Sequence, residues 1–147
     1  MGRAWLGLGA NIGAPDVQVR EAVRRLQGHP EISVVAQSAM LTTKPWGKTD
    51  QPDFSNMVVA VETSLKPIAL LEACLGIELA MGRVRKEVWG PRLIDIDIIA
   101  YDDIQIRSAR LTLPHAFAHQ RDFVLEPLRE IAPEIADWVV AINTRPR

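Results

Sequence analysis

Apolar and polar positions along this chain switch between two periods, and each switch marks a predicted element. Residues 4–9 (Ala-Trp-Leu-Gly-Leu-Gly) read as a short strand followed by a turn at 11–13. From 16 to 27, Val19, Ala22, Val23 and Leu26 fall at i, i+3, i+4 and i+7. That spacing predicts an amphipathic helix, with Asp16 as N-cap and Gly28 as terminator. Residues 32–43 are β-rich and read as a second strand. Residues 57–63 form a third, almost continuously apolar and therefore central in its sheet. Pro67 opens a second helix running to about 81, which Gly82 ends. Ile68, Leu70, Leu71, Leu75, Ile77 and Met81 give it a broad apolar stripe; Glu72 and Glu78 lie off that stripe, at the surface or on the rim of the following loop. In the fourth strand, 93–101, Ile94, Ile96 and Ile98 alternate with Asp95 and Asp97.

The order β-α-β-β-α-β predicts an α+β fold, a ferredoxin-like βαββαβ sandwich. Right-handed crossovers place both helices on one face of an antiparallel sheet. The other face is left to carry a site, and Asp95 and Asp97 would point to it. Beyond 101 the chain reads as an extension: a short strand at 111–115, a helical region, loops, and a last ten residues with little pattern. No repeat or linker divides the 147 residues, so a single domain over 1–147 is expected.

Composition narrows the function classes. Hydrophobic residues make up 48% of the chain, enough for a proper core. The net charge of −1 offers no global basic field for nucleic acid or a membrane surface. The single cysteine, Cys74, excludes an intramolecular disulfide and a cysteine metal cluster, and its helical position makes it a small core residue. No apolar run is long enough to span a bilayer, and no signal-peptide core is present. A cytoplasmic monomer is the expectation.

The candidate chemistry centres on residues 83–97. Side chains two apart on a strand share a face, so Asp95 and Asp97 lie roughly 6–7 Å apart. Such a pair is either the solvated face of an antiparallel sheet or an oxygen-ligand site for Mg²⁺. Between 83 and 92 lie four cations (Arg83, Arg85, Lys86, Arg92) and one anion, with the turn chemistry of Trp89-Gly90-Pro91 before Arg92, and the acid pair follows at once. A basic loop running into two carboxylates suits a Mg²⁺-bound polyphosphate; the alternative is a charged, solvated loop. His115 and His119 lie four apart, a spacing that suits zinc on a helix, but no third ligand is evident. Gly7, Gly9 and Gly13 miss the dinucleotide fingerprint by one residue and instead allow close backbone approach or a bulge.

Taken together, these segments resemble the 6-hydroxymethyl-7,8-dihydropterin pyrophosphokinases of folate biosynthesis. The most specific part is Arg83-Val-Arg85-Lys86 followed by Trp89-Gly-Pro-Arg92-x-x-Asp95-x-Asp97. Leu-Gly-x-Asn-x-Gly at 8–13, the run from Asp50 to Asn56, Leu111-Thr-Leu-Pro-His115 and the stretch at 123–133 extend the likeness over nearly the whole chain. The resemblance implies transfer of the β,γ-diphosphate of ATP to the pterin hydroxymethyl oxygen, yielding AMP. It implies two Mg²⁺ ions on Asp95 and Asp97, with Arg83 and Arg92 supporting the transition state. ATP contacts are implied at Leu71, Glu78, Arg83, Arg85, Lys86, Trp89, Arg92, Ile98, Arg110, Thr112, His115 and Arg121. Pterin contacts are implied at Thr43, Pro45, Trp46, Phe54, Asn56, Trp89, Asp95 and Phe123. Phe54 and Phe123 would stack on the ring, and Asn56 would read its pyrimidinone edge. The loops at 44–53 and 83–91 are expected to close over both substrates.

Two rival readings remain at this level. A non-catalytic ferredoxin-like regulatory module would bind Mg-nucleotide without turnover. A metal-dependent nuclease or phosphatase would hydrolyse without a pterin, and a nuclease would want a broader basic surface than this chain carries.

Overall fold

Strand β1 (Gly2–Ala10) runs between β4 (Phe54–Thr63) and β5 (Asp95–Tyr101), antiparallel to both. The structure is a computed structural model, and it describes residues 1–43, 53–82 and 94–146. On the far side of β4 lie β2 (Ile32–Gln37) and then β3 (Leu41–Thr43), giving the order β2-β4-β1-β5 with β3 beside the end of β4. This is the ferredoxin-like arrangement, and β4 is central as its unbroken apolar run requires.

The strand predicted over 32–43 is in fact two. Ser38 interrupts it: its N–H donates to the Val58 carbonyl at 2.9 Å, and its Oγ accepts the Val58 N–H at 2.9 Å. A side-chain oxygen thus takes the place of a ladder carbonyl, and the strand restarts three residues later.

Helices α1 (Pro15–Gly28) and α2 (Pro67–Ala80) cover one face. Leu6, Leu8, Val59, Val61, Ile96 and Ile98 meet Val19, Leu26, Leu70 and Ile77 there, all buried. Each such side chain contributes roughly 1.5–3 kcal/mol through burial. Helix α1 starts one residue earlier than predicted, with Pro15 in its first turn and Ala14 as N-cap. Asp16 is therefore not the cap; its carboxylate accepts the Ser55 hydroxyl. Nor does Gly28 lie beyond the helix end: it is the last helical residue, and His29 leaves in extended conformation.

Glu78 is the clearest departure on α2. It is buried, not at the surface, and its Oε2 accepts the Ile96 N–H at 2.7 Å. The helix buries Leu70, Cys74, Ile77 and Glu78, while Leu79 is exposed. A helix apolar nearly all round does not announce which side faces inward.

The second face is not left bare. A pair of C-terminal helices, α3 (Asp122–Ile131) and α4 (Pro133–Asn143), packs on it, so the helices are not confined to one face. Trp5, Val58, Ala60, Ile99 and Ala100 from the sheet meet Ala118, Leu128, Ala136 and Val139 in a second core. The last ten residues, expected to lack pattern, contain most of α4. Short pairs (β6, Ile106–Arg107; β7, Thr112–Leu113) and a 3-10 turn (Ala118–Gln120) complete the extension.

Candidate active site

Alternation along β1 sends Leu6 and Leu8 to the first core, and Trp5, Gly7 and Gly9 to the second face. Trp5 lies in register with Ala60 and Ala100, at the end covered by α3 and α4. Towards the other end, two rows cross β4, β1 and the edge strand β5: Val58–Gly7–Asp97 and Asn56–Gly9–Asp95. Asp95 is half-buried and Asp97 exposed, while Ile94, Ile96 and Ile98 are buried behind them, as the strand pattern predicts.

A bulge lies beside the acid pair. Leu6 pairs with Ile98 but Trp5 with Ala100, so Ile99 is the extra residue. Ile99 and Ala100 both fall in the second core, and Tyr101 returns to the first. The alternation holding the two aspartates outward thus ends where helical cover begins.

His115 borders this region. Its N–H donates to the Ile99 carbonyl at 2.8 Å, its carbonyl accepts from Asn143 Nδ2 at 2.8 Å, and its Nδ1 accepts from the Phe117 N–H at 3.3 Å. Burial lowers the imidazole pKa; Asp97 pulls it the other way and Arg121 adds to the lowering. The Arg121 guanidinium carbon stands 5.8 Å from the ring centres of both Phe117 and Phe123. A cation held between two rings presents its fork in a fixed direction. Phe123, expected to lie on a flat ligand ring, here lies against Arg121.

The remaining expected contacts are dispersed. Phe54 is half-buried at the start of β4, in register with Thr43, and Asn56 is buried. Thr112 is exposed on β7; Arg110, also exposed, reaches Glu72 at 3.3 Å. Leu71 is half-buried on α2. The Ile98 side chain is part of the core between sheet and helices, so only its main chain is available to a ligand. Glu78 is engaged with the β5 backbone rather than set on an open rim. Pro45, Trp46, Arg83, Arg85, Lys86, Trp89 and Arg92, with all of the two loops expected to close except Asp53, lie outside the described residues.

Among the described residues no three of His, Cys, Asp or Glu gather to hold a metal, and His115 precedes a 3-10 turn rather than lying on an α-helix with His119. Zinc thus loses the helical spacing that suggested it. A pair of carboxylates fits Mg²⁺, which keeps several waters and takes phosphate oxygens for the rest. Hollows of about 430 and 660 Å³ lie beside α1, and neither is lined by Asp95 or Asp97.

Cys74 sits close enough to feel the site's charges. Burial pushes its thiol pKa up to about 12, with Glu78 and Asp97 adding to the rise, which makes it the inert core residue expected. The sequence signalled Gly7 and Gly9 as places of close approach, but not that they floor the acid face. It gave no sign that Asn11, the polar residue after β1, is fully buried.

Among the described residues, fold and site together define an α+β protein with an acid pair on one face of an antiparallel sheet, beside the part that α3 and α4 cover. Residues 5–133 match the sequence model of 7,8-dihydro-6-hydroxymethylpterin-pyrophosphokinase (HPPK). The 2-amino-4-hydroxy-6-hydroxymethyldihydropteridine pyrophosphokinase of Methylorubrum extorquens is 54% identical over 92% of this chain and 85% of its own length. That of Pseudomonas aeruginosa is 40% identical over 90% of this chain and 82% of its own. The chain therefore belongs to the HPPK family. Its fold is similar to that of Plasmodium falciparum HPPK-DHPS, solved with pteroate, at a TM-score of 0.72 and 17% identity over 90% of this chain. This chain spans 39% of that one, and the likeness concerns fold alone.

Proposed function

We propose that the open half of the second face is where this chain carries out its family's reaction: diphosphate transfer from ATP to 6-hydroxymethyl-7,8-dihydropterin, in folate biosynthesis. The family works with Mg-ATP, and Asp95 and Asp97 are the residues to hold its metal, with two ions as our reading. Bound there, Mg²⁺ offsets the charge of the triphosphate.

The chain's own groups supply the rest. Asn56 presents a donor and an acceptor to the pyrimidinone edge, and Phe54 and Phe123 offer apolar faces to the ring, with Thr43, Pro45, Trp46 and Trp89 around it. Arg121, steadied between its two rings, and His115 beside it meet phosphate oxygens, together with Arg85, Lys86, Arg110 and Thr112. Leu71 and the main chain at Ile98 border the adenine. Arg83 and Arg92 grip the group in transit, as planar forks suit phosphate better than ammonium. The hydroxymethyl oxygen attacks the β-phosphorus as the bond to the α-phosphate oxygen breaks; AMP departs and the hydroxyl proton passes to solvent. Positioning and charge stabilisation carry most of such a transfer.

One observation carries the reading: Asn56 and Asp95 flank the same side-chain-free position, Gly9, in neighbouring strands. A nucleotide-sensing module would need the acids but not the amide beside them. Substrate-by-substrate titration tests this. Asn56→Ala is expected to weaken pterin binding while sparing Mg-nucleotide, and Asp97→Ala to do the converse; matched losses of both ligands in either variant would contradict the division. Action as a single cytoplasmic domain over 1–147, monomeric, belongs to the same proposal, and light scattering under assay conditions checks the monomer. No helix among the described residues is long and apolar enough to cross a membrane.

A further inference from the structure

Position 9 has a backbone conformation open to any residue, since its φ is not in the left-handed region. What it lacks is room. A Cβ built there would lie 2.9 Å from Asn56 Oδ1, with the Ser55 carbonyl oxygen next at 3.8 Å. Gly7, two residues earlier on the same face, is different: its Cβ would meet only Ile99, at 3.4 Å and beyond. The restriction at 9 thus comes from one side chain, the buried amide of Asn56, in the row that ends at Asp95.

We infer that Gly9 is a positioning residue for the acceptor: its missing side chain lets the Asn56 amide lie across β1 in the orientation that reads the pterin. The inference rests on the assignment of Asn56 to the pterin. A methyl at 9 would collide with the far end of a side chain, not with backbone, so the cheapest relief is rotation of the amide about its own χ angles. The sheet ladder, formed by backbone groups, has no reason to change. An amide turned even tens of degrees, however, exchanges or loses the donor and acceptor directions on which edge recognition depends. Gly9→Ala should therefore separate two properties that a merely structural glycine would lose together: the fold persists while acceptor affinity falls.

The test is a cycle of Gly9→Ala, Asn56→Ala and the double variant, with pterin and Mg-nucleotide titrated separately and thermal unfolding recorded for each. Gly9→Ala is expected to weaken pterin binding about tenfold or more, the loss of one or two oriented hydrogen bonds, with nucleotide affinity within about twofold. In the Asn56→Ala background the atom the methyl would strike is gone, so adding Gly9→Ala should change pterin affinity no further. Additive losses would overturn the inference, as would equal losses of pterin and nucleotide. If Asn56→Ala alone leaves pterin binding intact, the site assignment itself fails. If Asn56→Ala weakens binding and Gly9→Ala does not, only the role of Gly9 fails. Should Gly9→Ala fold poorly, Gly9→Ser with Asn56→Ala supplies the comparison; a fold not restored by removing the amide contradicts the argument.

Discussion

Under the proposed assignment, Asp97 is the residue on which the chemistry depends most and the fold least. It is exposed at the open end of β5, so replacing it removes no packing. Asp97→Ala is expected to lower turnover roughly 10³-fold, since metal-mediated charge stabilisation is worth several kcal/mol, with an unchanged melting temperature. A variant retaining most of its activity under saturating Mg-ATP would remove the metal assignment. Glu78 is the opposite case, a buried carboxylate serving the backbone between the two aspartates. Glu78→Ala strands a buried N–H and is expected to cost about 1–3 kcal/mol in urea unfolding, with Glu78→Gln, which keeps an acceptor oxygen, recovering most of it. Wild-type stability in the alanine variant would show that water replaces the carboxylate at no cost.

His115 carries the pH prediction. Its pKa is lowered in the folded state by burial, so protonation favours the unfolded chain. The stability it contributes is complete above the ordinary imidazole value of about 6.5 and is lost as the pH falls through the lowered one. Glu21, held at about 2 by its hydrogen bond from Arg24 and the company of Arg25, stays ionised in the folded chain throughout that window, and its own loss of stability comes mainly below it. The denaturation midpoint of the metal-free protein should fall between pH 7 and 5, and fall less in His115→Gln. Parallel profiles would show that His115 titrates as it does in the unfolded chain.

At the scale of elements, sequence and structure agree where one face is plainly wet and the other dry. In β5, Ile94, Ile96 and Ile98 against Asp95 and Asp97 left a single way to place the acids. In α1, Val19, Ala22, Val23 and Leu26 marked the buried stripe unaided. Agreement fails where polarity carries no direction. Trp138 to Ile142 is apolar throughout, so the last half of α4 shows no polar side of its own, and its stripe appears only when Ile135 and Ala136 upstream are read with Val139 and Ile142. The break between β2 and β3 depends on a hydroxyl that imitates a backbone carbonyl, which no periodicity reveals. Likewise, the value of Gly9 lies in the amide one strand away. The helical pair is expected to be essential to stability: Leu128→Ala, fully buried between α3 and the sheet, should cost about 2–5 kcal/mol. A drop well below that in chemical unfolding would mean that α3 can be loosened without consequence for the sheet.

For the molecule as a whole, two helical layers give the sheet two unlike faces. The first is closed along its length by α1 and α2. Among the described residues, α3 and α4 cover the second over Trp5, Val58 and Ala60, and the glycines and acids follow along the same face. Under the proposed function, stability and chemistry fall to different halves of one face, so Asp95 and Asp97 sit near the core without interrupting it. The family's motif residues named this chemistry in the sequence, but it took the strand register to bring Asn56 beside Gly9 and Asp95. The direct test of that union is product analysis after mixing the protein with Mg²⁺, ATP and 6-hydroxymethyl-7,8-dihydropterin. AMP and pterin diphosphate appearing in equal amounts, and only when the pterin is present, is the predicted result. ADP as the nucleotide product, or ATP consumed at the same rate without the pterin, would contradict it.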